Sequence, residues 1–431
     1  MKMKKIFISI CIAFIFSQDR EGPSFTVITN DNPYPGKLFV HSMSQYMAIL
    51  DTNFENYWII NNLNKGMDFK KNNTKLSFYH KPNTSLNEAL WIIADETMTE
   101  VDTVQCTSGM TDYHDMIITD NNTYILQSYD SEVMDLSSVG GNEFEVINSI
   151  LRIQEFSQNH NLIFDWYAAD HLNIFDYVNT LLIEQSIGGQ TSWMHGNSID
   201  VDYDNNLILS NRTSSEIIKI DRITGEIIWI IGGPLNEFQI INDPLNGVKM
   251  QHDVSRLENG NILVFDNGDL QTYPESRVVE YEIDEINKTA TLVWEFQNPD
   301  GYLSRAMGSA QRLPNGNTLI NWGTLFVSNQ SIGANIMEVD YQKNIVLEIQ
   351  YDDYQTYKAT KSDFEFNIPM QIGDINLDET LNVNDIIIAV NYLLNNDGNH
   401  SIFNLYKIDS NLDHTINILD IISIVNKVLS N

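Results

Sequence analysis

The chain has 431 residues and a 42% hydrophobic share, enough for one large core and a small second domain. With 58 acidic against 25 basic residues its formal net charge is −33. That balance excludes nucleic acid as a partner, because a phosphate backbone needs a basic footprint.

Met1 to about Ser17 reads as a secretory signal peptide (1–17), with Lys2, Lys4 and Lys5 before the short apolar stretch Ile6 to Phe16. The stretch is too short for a comfortable bilayer crossing, so no stable membrane span is expected. The expected location is secreted, periplasmic or attached to the cell surface. Cys11 leaves with the signal, which leaves Cys106 without an internal partner, as a buried thiol in the alternating run Asp102 to Cys106.

From about Phe25 to Asp352 short β-branched and aromatic runs alternate with Asn, Asp and Gly, and helical periodicity is almost absent. The runs recur every roughly 45 to 60 residues, the size of one four-stranded propeller blade. Successive units are predicted to begin near His114-Asp115, near Val146-Ile147-Asn148, at His195, at His252 and at Gly308-Ser309-Ala310-Gln311. The turns Asn121-Asn122, Asn205-Asn206, Asn259-Gly260-Asn261 and Pro314-Asn315-Gly316-Asn317 favour positive φ in tight hairpins. Trp229 and Trp294 are expected to pack between blades. The predicted fold is an all-β six-bladed propeller over 22–366, with five or seven blades also within the length.

Two histidines open the same phrase. His195-Gly196-Asn197-Ser198-Ile199 is followed by Asp204-Asn205-Asn206 and Leu207-Ile208-Leu209; His252-Asp253-Val254-Ser255 by Asn259-Gly260-Asn261 and Ile262-Leu263-Val264. In a closed ring such phrases deliver several imidazoles to one mouth, and His114 fits the same position in an earlier blade.

These phrases resemble those of the bacterial arylsulfotransferase family. The matching residues are His195 to Ile199, Leu209-Ser210-Asn211-Arg212, Lys219 to Trp229 with Gly232-Gly233, Gln251-His252-Asp253, Phe265-Asp266-Asn267-Gly268 and Ser276 to Tyr281. The resemblance implies transfer of a sulfuryl group from a small phenolic sulfate donor to a phenolic acceptor through a histidine, with no cofactor in the propeller. It implies that His195 and His252 hold or protonate and that Arg277 clamps the sulfuryl oxygens. Asn197, Arg212, His114 and Lys358 are further candidates for that shell. Two departures stand out. The blade expected to carry the family's nucleophilic histidine reads Gly308 to Gly323, and no histidine lies between His252 and His400. A Tyr-Arg-Ala phrase appears as Tyr357-Lys358-Ala359. Other readings are a non-catalytic propeller binding a sulfated or phenolic ligand, and a sulfate-ester hydrolase.

After the linker Asn367-Ile368-Pro369 the composition changes. Asp374, Asn376, Asp378, Thr380, Asn382 and Asp385 place oxygens along a twelve-residue loop. Asp409, Asn411, Asp413, Thr415, Asn417 and Asp420 repeat the arrangement 35 residues later, and each loop precedes an amphipathic helix. The duplication over 370–431 resembles a type I dockerin, a small α-helical module with paired EF-hand-like loops. That resemblance implies two bound Ca2+ ions and a cohesin-like protein partner.

Overall fold

The computed structural model describes residues 23–42, 46–61, 68–81, 89–178, 191–327, 330–352, 354–366, 372–376, 378, 380–394, 407–411 and 416–430. The expected signal segment and the 367–369 linker lie outside these residues, as do Asp413 and Thr415.

Six antiparallel blades form a closed ring. Their innermost strands are Thr356–Ser362, Lys70–Asn72, Met110–Ile118, Gly196–Val201, His252–Arg256 and Ser309–Arg312, for blades one to six in order. Closure uses both ends of the propeller. Thr356–Ser362 pairs with Lys37–Ser42 in blade one, and Phe25–Asn30 adds a fifth strand to blade six through Ile345–Tyr351. Joining both ends in this way leaves each blade with one short outer edge, which limits the pairing hazard of a strand-rich chain.

Each strand serves two interfaces because alternate residues point to opposite faces. In blade four, Leu207 and Leu209 pack toward blade three, and Ile208 packs toward blade five. This is why the strand reads as a continuous apolar run. Six such clusters, one per blade junction, make up the propeller core. Trp229 lies in the junction of blades four and five and Trp294 in that of five and six, both buried. At burial worth about 25 cal/mol per Å2 of apolar surface, such junctions dominate stability.

Ion pairs stitch neighbouring blades: Arg222 with Glu155, Arg256 with Asp202 at 2.6 Å, Arg312 with Glu280 at 2.6 Å, and Lys361 with Glu338 at 2.6 Å. The predicted turn residues adopt positive φ at Asn122, Asn205, Gly260 and Gly316. One expected unit start fails. Val146 begins no blade, because Glu145–Phe156 is the third strand of a long blade three and pairs with Tyr124–Met134 along its length. A strand of twelve residues carries the same alternation as two short ones, which disguised it.

In the C-terminal region two helices, Val383–Leu394 and Ile418–Ser430, pack around Ala389, Ile408, Ile421 and Ile424. No described helix is long and apolar enough to cross a membrane.

Candidate active site

His195 lies just before the inner strand of blade four and His252 opens that of blade five, while His114 sits midway along Met110–Ile118 in blade three, and the three meet at one mouth. His114 Nε2 lies 3.1 Å from His195 Nε2, and the two rings meet edge to face. Tyr113 stacks on His114, Tyr129 stacks on His195, and Tyr357 presents its edge to His114. The Tyr129 hydroxyl donates to the Gly196 carbonyl, and the Tyr357 hydroxyl donates to that of Asn197 at 3.2 Å.

The tautomer of His252 follows from its neighbour. Asn267 donates its amide N–H groups to the carbonyls of Ser304 (2.7 Å) and Met307 (2.9 Å), so its Oδ1 is left to accept. His252 Nδ1 lies 2.6 Å from that oxygen and therefore carries the proton. The lone pair is on Nε2, where the Met307 backbone N–H reaches it at 3.3 Å. Burial, then the charge of Arg212, pushes the His252 pKa down to about 3, so the ring is neutral at ordinary pH. Burial, His114, Arg212 and His252 push His195 down as well. The guanidinium of Arg212 thus acts on both rings from the loop after Leu207–Asn211, and its backbone N–H holds the His195 carbonyl.

Arg277 is not part of this group. Its five N–H donors go to Asp266, Asp243 twice, Glu295 and the Gly247 carbonyl, and the side chain is 1% exposed. A guanidinium so saturated has no donor left for a sulfuryl oxygen, and the expected clamp is corrected to a strut within blade five. Lys358 is also committed elsewhere. Its ammonium sits 2.6 Å from Asp253, 3.8 Å from Asp115 and 4.0 Å from Asp68, inside the channel beneath the imidazoles. Lys70 joins the same layer at 2.5 Å from Asp68 and in contact with Asp115. Burial opposes the Lys358 charge, but Asp115, Asp253 and Asp68 outweigh it and hold its pKa well above the usual lysine range. Asn197 is buried and donates to the Gln251 carbonyl at 2.7 Å, bracing the residue before His252.

The residue before blade six's inner strand is Gly308, in the left-handed region at φ 105°. A Cβ there would lie 2.4 Å from the Phe265 ring, so that position admits no side chain, histidine included.

Sequence reasoning did not single out Asp112, Asn267 or Met307 for the site. Asp112 had a readable signal, since it lies two residues before His114 on one strand.

The described residues of the two C-terminal loops are capped alike. Asp385 is fully buried and accepts from the backbone N–H groups of Ile375, Asn376 and Asn382. Asp420 is equally buried and accepts from Ser410, Asn411 and Asn417. Asp374 Oδ1 and Asn376 Oδ1 are drawn together on the Asp378 N–H, at 3.3 and 3.1 Å. Carboxylate and carboxamide oxygens at alternating positions of a loop are the kind of hard donors that calcium takes.

Fold and mouth together define a propeller that gathers three imidazoles close to one guanidinium. The arylsulfotransferase (ASST) family model matches residues 23–360, and the chain belongs to that family. The arylsulfate sulfotransferase of Escherichia coli O6:H1 is 29% identical over 202 residues, covering 38% of this chain and 33% of that protein. The arylsulfate sulfotransferase of Lelliottia amnigena is 26% identical over 201 residues, with the same coverage. The chain thus matches about a third of the length of these relatives. Among solved structures, a Bacteroides caccae protein of unknown function superposes with a TM-score of 0.47 at 12% identity, over 76% of this chain and 98% of that one.

Proposed function

We propose that this chain is an exported enzyme that moves a sulfuryl group from a phenolic sulfate ester to a phenolic acceptor, with His252 as the nucleophile. The observation that carries this reading is the tautomer of His252. Asn267 holds the Nδ1 proton and leaves the Nε2 lone pair on a neutral, desolvated ring, the state an imidazole nucleophile needs. Arg212 takes the sulfuryl oxygens in place of Arg277, since a guanidinium can grip two oxygens at once. The Met307 N–H that faces Nε2 supplies a further donor to those oxygens as negative charge moves onto them. His195 faces the leaving phenolic oxygen.

Incubation with 4-nitrophenyl sulfate, with and without phenol, tests this. Release of 4-nitrophenol that requires phenol supports transfer. Release without phenol makes the protein a sulfate-ester hydrolase, and binding without release makes it a non-catalytic propeller.

The C-terminal region is read as a dockerin that binds two Ca2+ ions and docks a cohesin-like protein. Asp374, Asn376, Asp378, Asn382, Asp385 and the Thr380 carbonyl would hold one ion. Asp409, Asn411, Asn417 and Asp420 would hold the other, with Asp413 and Thr415 from outside the described residues. Calcium would neutralise the clustered carboxylates and fix the loops that start both helices. The observation supporting this is the identical backbone capping by Asp385 and Asp420. Chelator should lower the helical circular dichroism and expose residues after 370 to protease; an unchanged signal and digestion pattern would remove the metal reading.

A further inference from the structure

We infer that Asp112 is the positioning residue that sets the proton of the mouth: through His114 it fixes which nitrogen of His195 faces the substrate, and it makes the His114–His195 pair the acid and base of the reaction. The catalytic half rests on the sulfuryl-transfer reading above; the placement of the proton does not.

Asp112 is 2% exposed and lies on the inner strand of blade three. Its carboxylate accepts from the His114 backbone N–H at 2.9 Å, from His114 Nδ1 at 2.7 Å and from Gln127 Nε2 at 2.9 Å. A carboxylate can only accept, so His114 Nδ1 carries the proton, and in the neutral ring His114 Nε2 then carries a lone pair. That lone pair faces His195 Nε2 across 3.1 Å. Two lone pairs repel at this distance, so His195 Nε2 carries a proton, and its Nδ1 lone pair is the one left for a ligand. Every donor in the chain from His195 to His114 to Asp112 then points one way.

The other groups around the pair do not compete for this proton. Burial first, and Asp112 next, push the phenols of Tyr113 and Tyr129 above their ordinary range, and burial with Asp68 and Asp115 does the same for Tyr357. Arg212 is a fixed cation, and His252 is held neutral. Burial, the largest cause, and the neighbouring cations also hold the His195 pKa down, so its ring is neutral. A bound sulfate monoester brings the opposite charge that lets His195 take a second proton, on Nδ1, with Asp112 balancing the imidazolium through His114.

The transfer then closes. His252 Nε2 forms a bond to sulfur while the sulfur–oxygen bond of the ester breaks. Its electron pair stays on the phenolate oxygen, which takes the proton from His195 Nδ1. The acceptor phenol returns a proton to the same nitrogen as its oxygen attacks sulfur, the nitrogen–sulfur bond breaks, and His252 recovers its lone pair.

Histidine-labelled nitrogen NMR on the full chain reads the proton directly. The wild type should show His114 protonated at Nδ1 and bare at Nε2; the reverse would overturn the inference. Asp112→Asn keeps an oxygen that accepts from His114 Nδ1, as Asn267 does for His252, but removes the negative charge that balances a His195 imidazolium. Against a series of aryl sulfates, the variant should lose ~10²-fold more kcat/KM on esters of weakly acidic phenols than on 4-nitrophenyl sulfate, the usual worth of a positioned proton donor. Asp112→Glu, which restores a carboxylate, should return the wild-type dependence on the leaving group at a lower rate. Equal losses across the series would overturn the acid–base role. A wild type that is protonated as described yet transfers nothing would remove the sulfuryl-transfer reading and leave the proton placement standing.

Discussion

Two polar layers lie one above the other in the channel, and they are built on opposite rules. In the lower layer Lys70 and Lys358 are surrounded by Asp68, Asp115 and Asp253, and every cation meets more than one carboxylate. In the upper layer His114 and His252 each give the Nδ1 proton to a single side-chain acceptor, Asp112 and Asn267, and keep a lone pair on Nε2, which faces His195 in one case and the Met307 N–H in the other. Dense ion pairing suits a plug that joins blades one, two, three and five. One-sided pairing suits chemistry, because it fixes a proton while leaving a lone pair. The same contrast separates two arginines. Arg277 spends all five donors inside blade five, whereas Arg212 projects its charge onto His195 and His252.

The contrast breaks most readily at His252. His252→Asn keeps a polar side chain but removes the nucleophile, and turnover of 4-nitrophenyl sulfate with phenol should fall by on the order of 10³-fold or more. Thermal unfolding of the variant should stay close to that of the wild type. Next in size is Arg277→Met, which strands Asp243 and Asp266 as buried, uncompensated charges. It should cost about 3–5 kcal/mol in urea unfolding, with the kcat of the remaining folded protein unchanged. Arg212→Lys should behave the other way, losing ~10²-fold in kcat/KM for want of the forked donor while its unfolding midpoint barely moves. If Arg277 governed kcat and Arg212 governed stability, the two arginines would have been assigned in reverse.

The smallest effect is in the pH dependence of folding. The folded His252 pKa, about 3, lies below the unfolded value of about 6.5, so the unfolded chain binds the extra proton first. The stability of the neutral ring is complete above pH 6.5 and is lost as pH falls toward 3, by ~2 kcal/mol at pH 5. The buried Asp200 and Asp68, both raised to about 6 mainly by burial, act with the opposite sign, gaining stability as pH falls. The wild-type curve therefore mixes both, and the difference between wild type and His252→Asn isolates the histidine. A difference that does not change between pH 7 and 4 would place His252 in contact with solvent.

The blade phrases made the ring and its mouth legible before any coordinates, because a propeller repeats its turns and apolar runs at fixed spacing. His195 and His252 announced themselves by sharing a phrase, and His114 by its place in the repeat. The arginines could not be ranked that way. The carboxylates that consume Arg277 lie 34 and 18 residues away at Asp243 and Glu295, and only folding brings them to it. Lys358 looked like a substrate ligand for the same reason, its partners being spread over three other blades. Asn267 was quoted for its motif, but its role depends on the Ser304 and Met307 carbonyls, which no local pattern connects to it.

The most direct measurement of the central claim is where the sulfuryl group rests between donor and acceptor. The protein would be incubated with 4-nitrophenyl sulfate and no phenol, quenched in base and digested for peptide mass mapping. One added SO3 on the peptide that carries His252, discharged when phenol is supplied before the quench, is the predicted result. The same mass on the His195 or His114 peptide, or on none while phenol-dependent turnover proceeds, would contradict it.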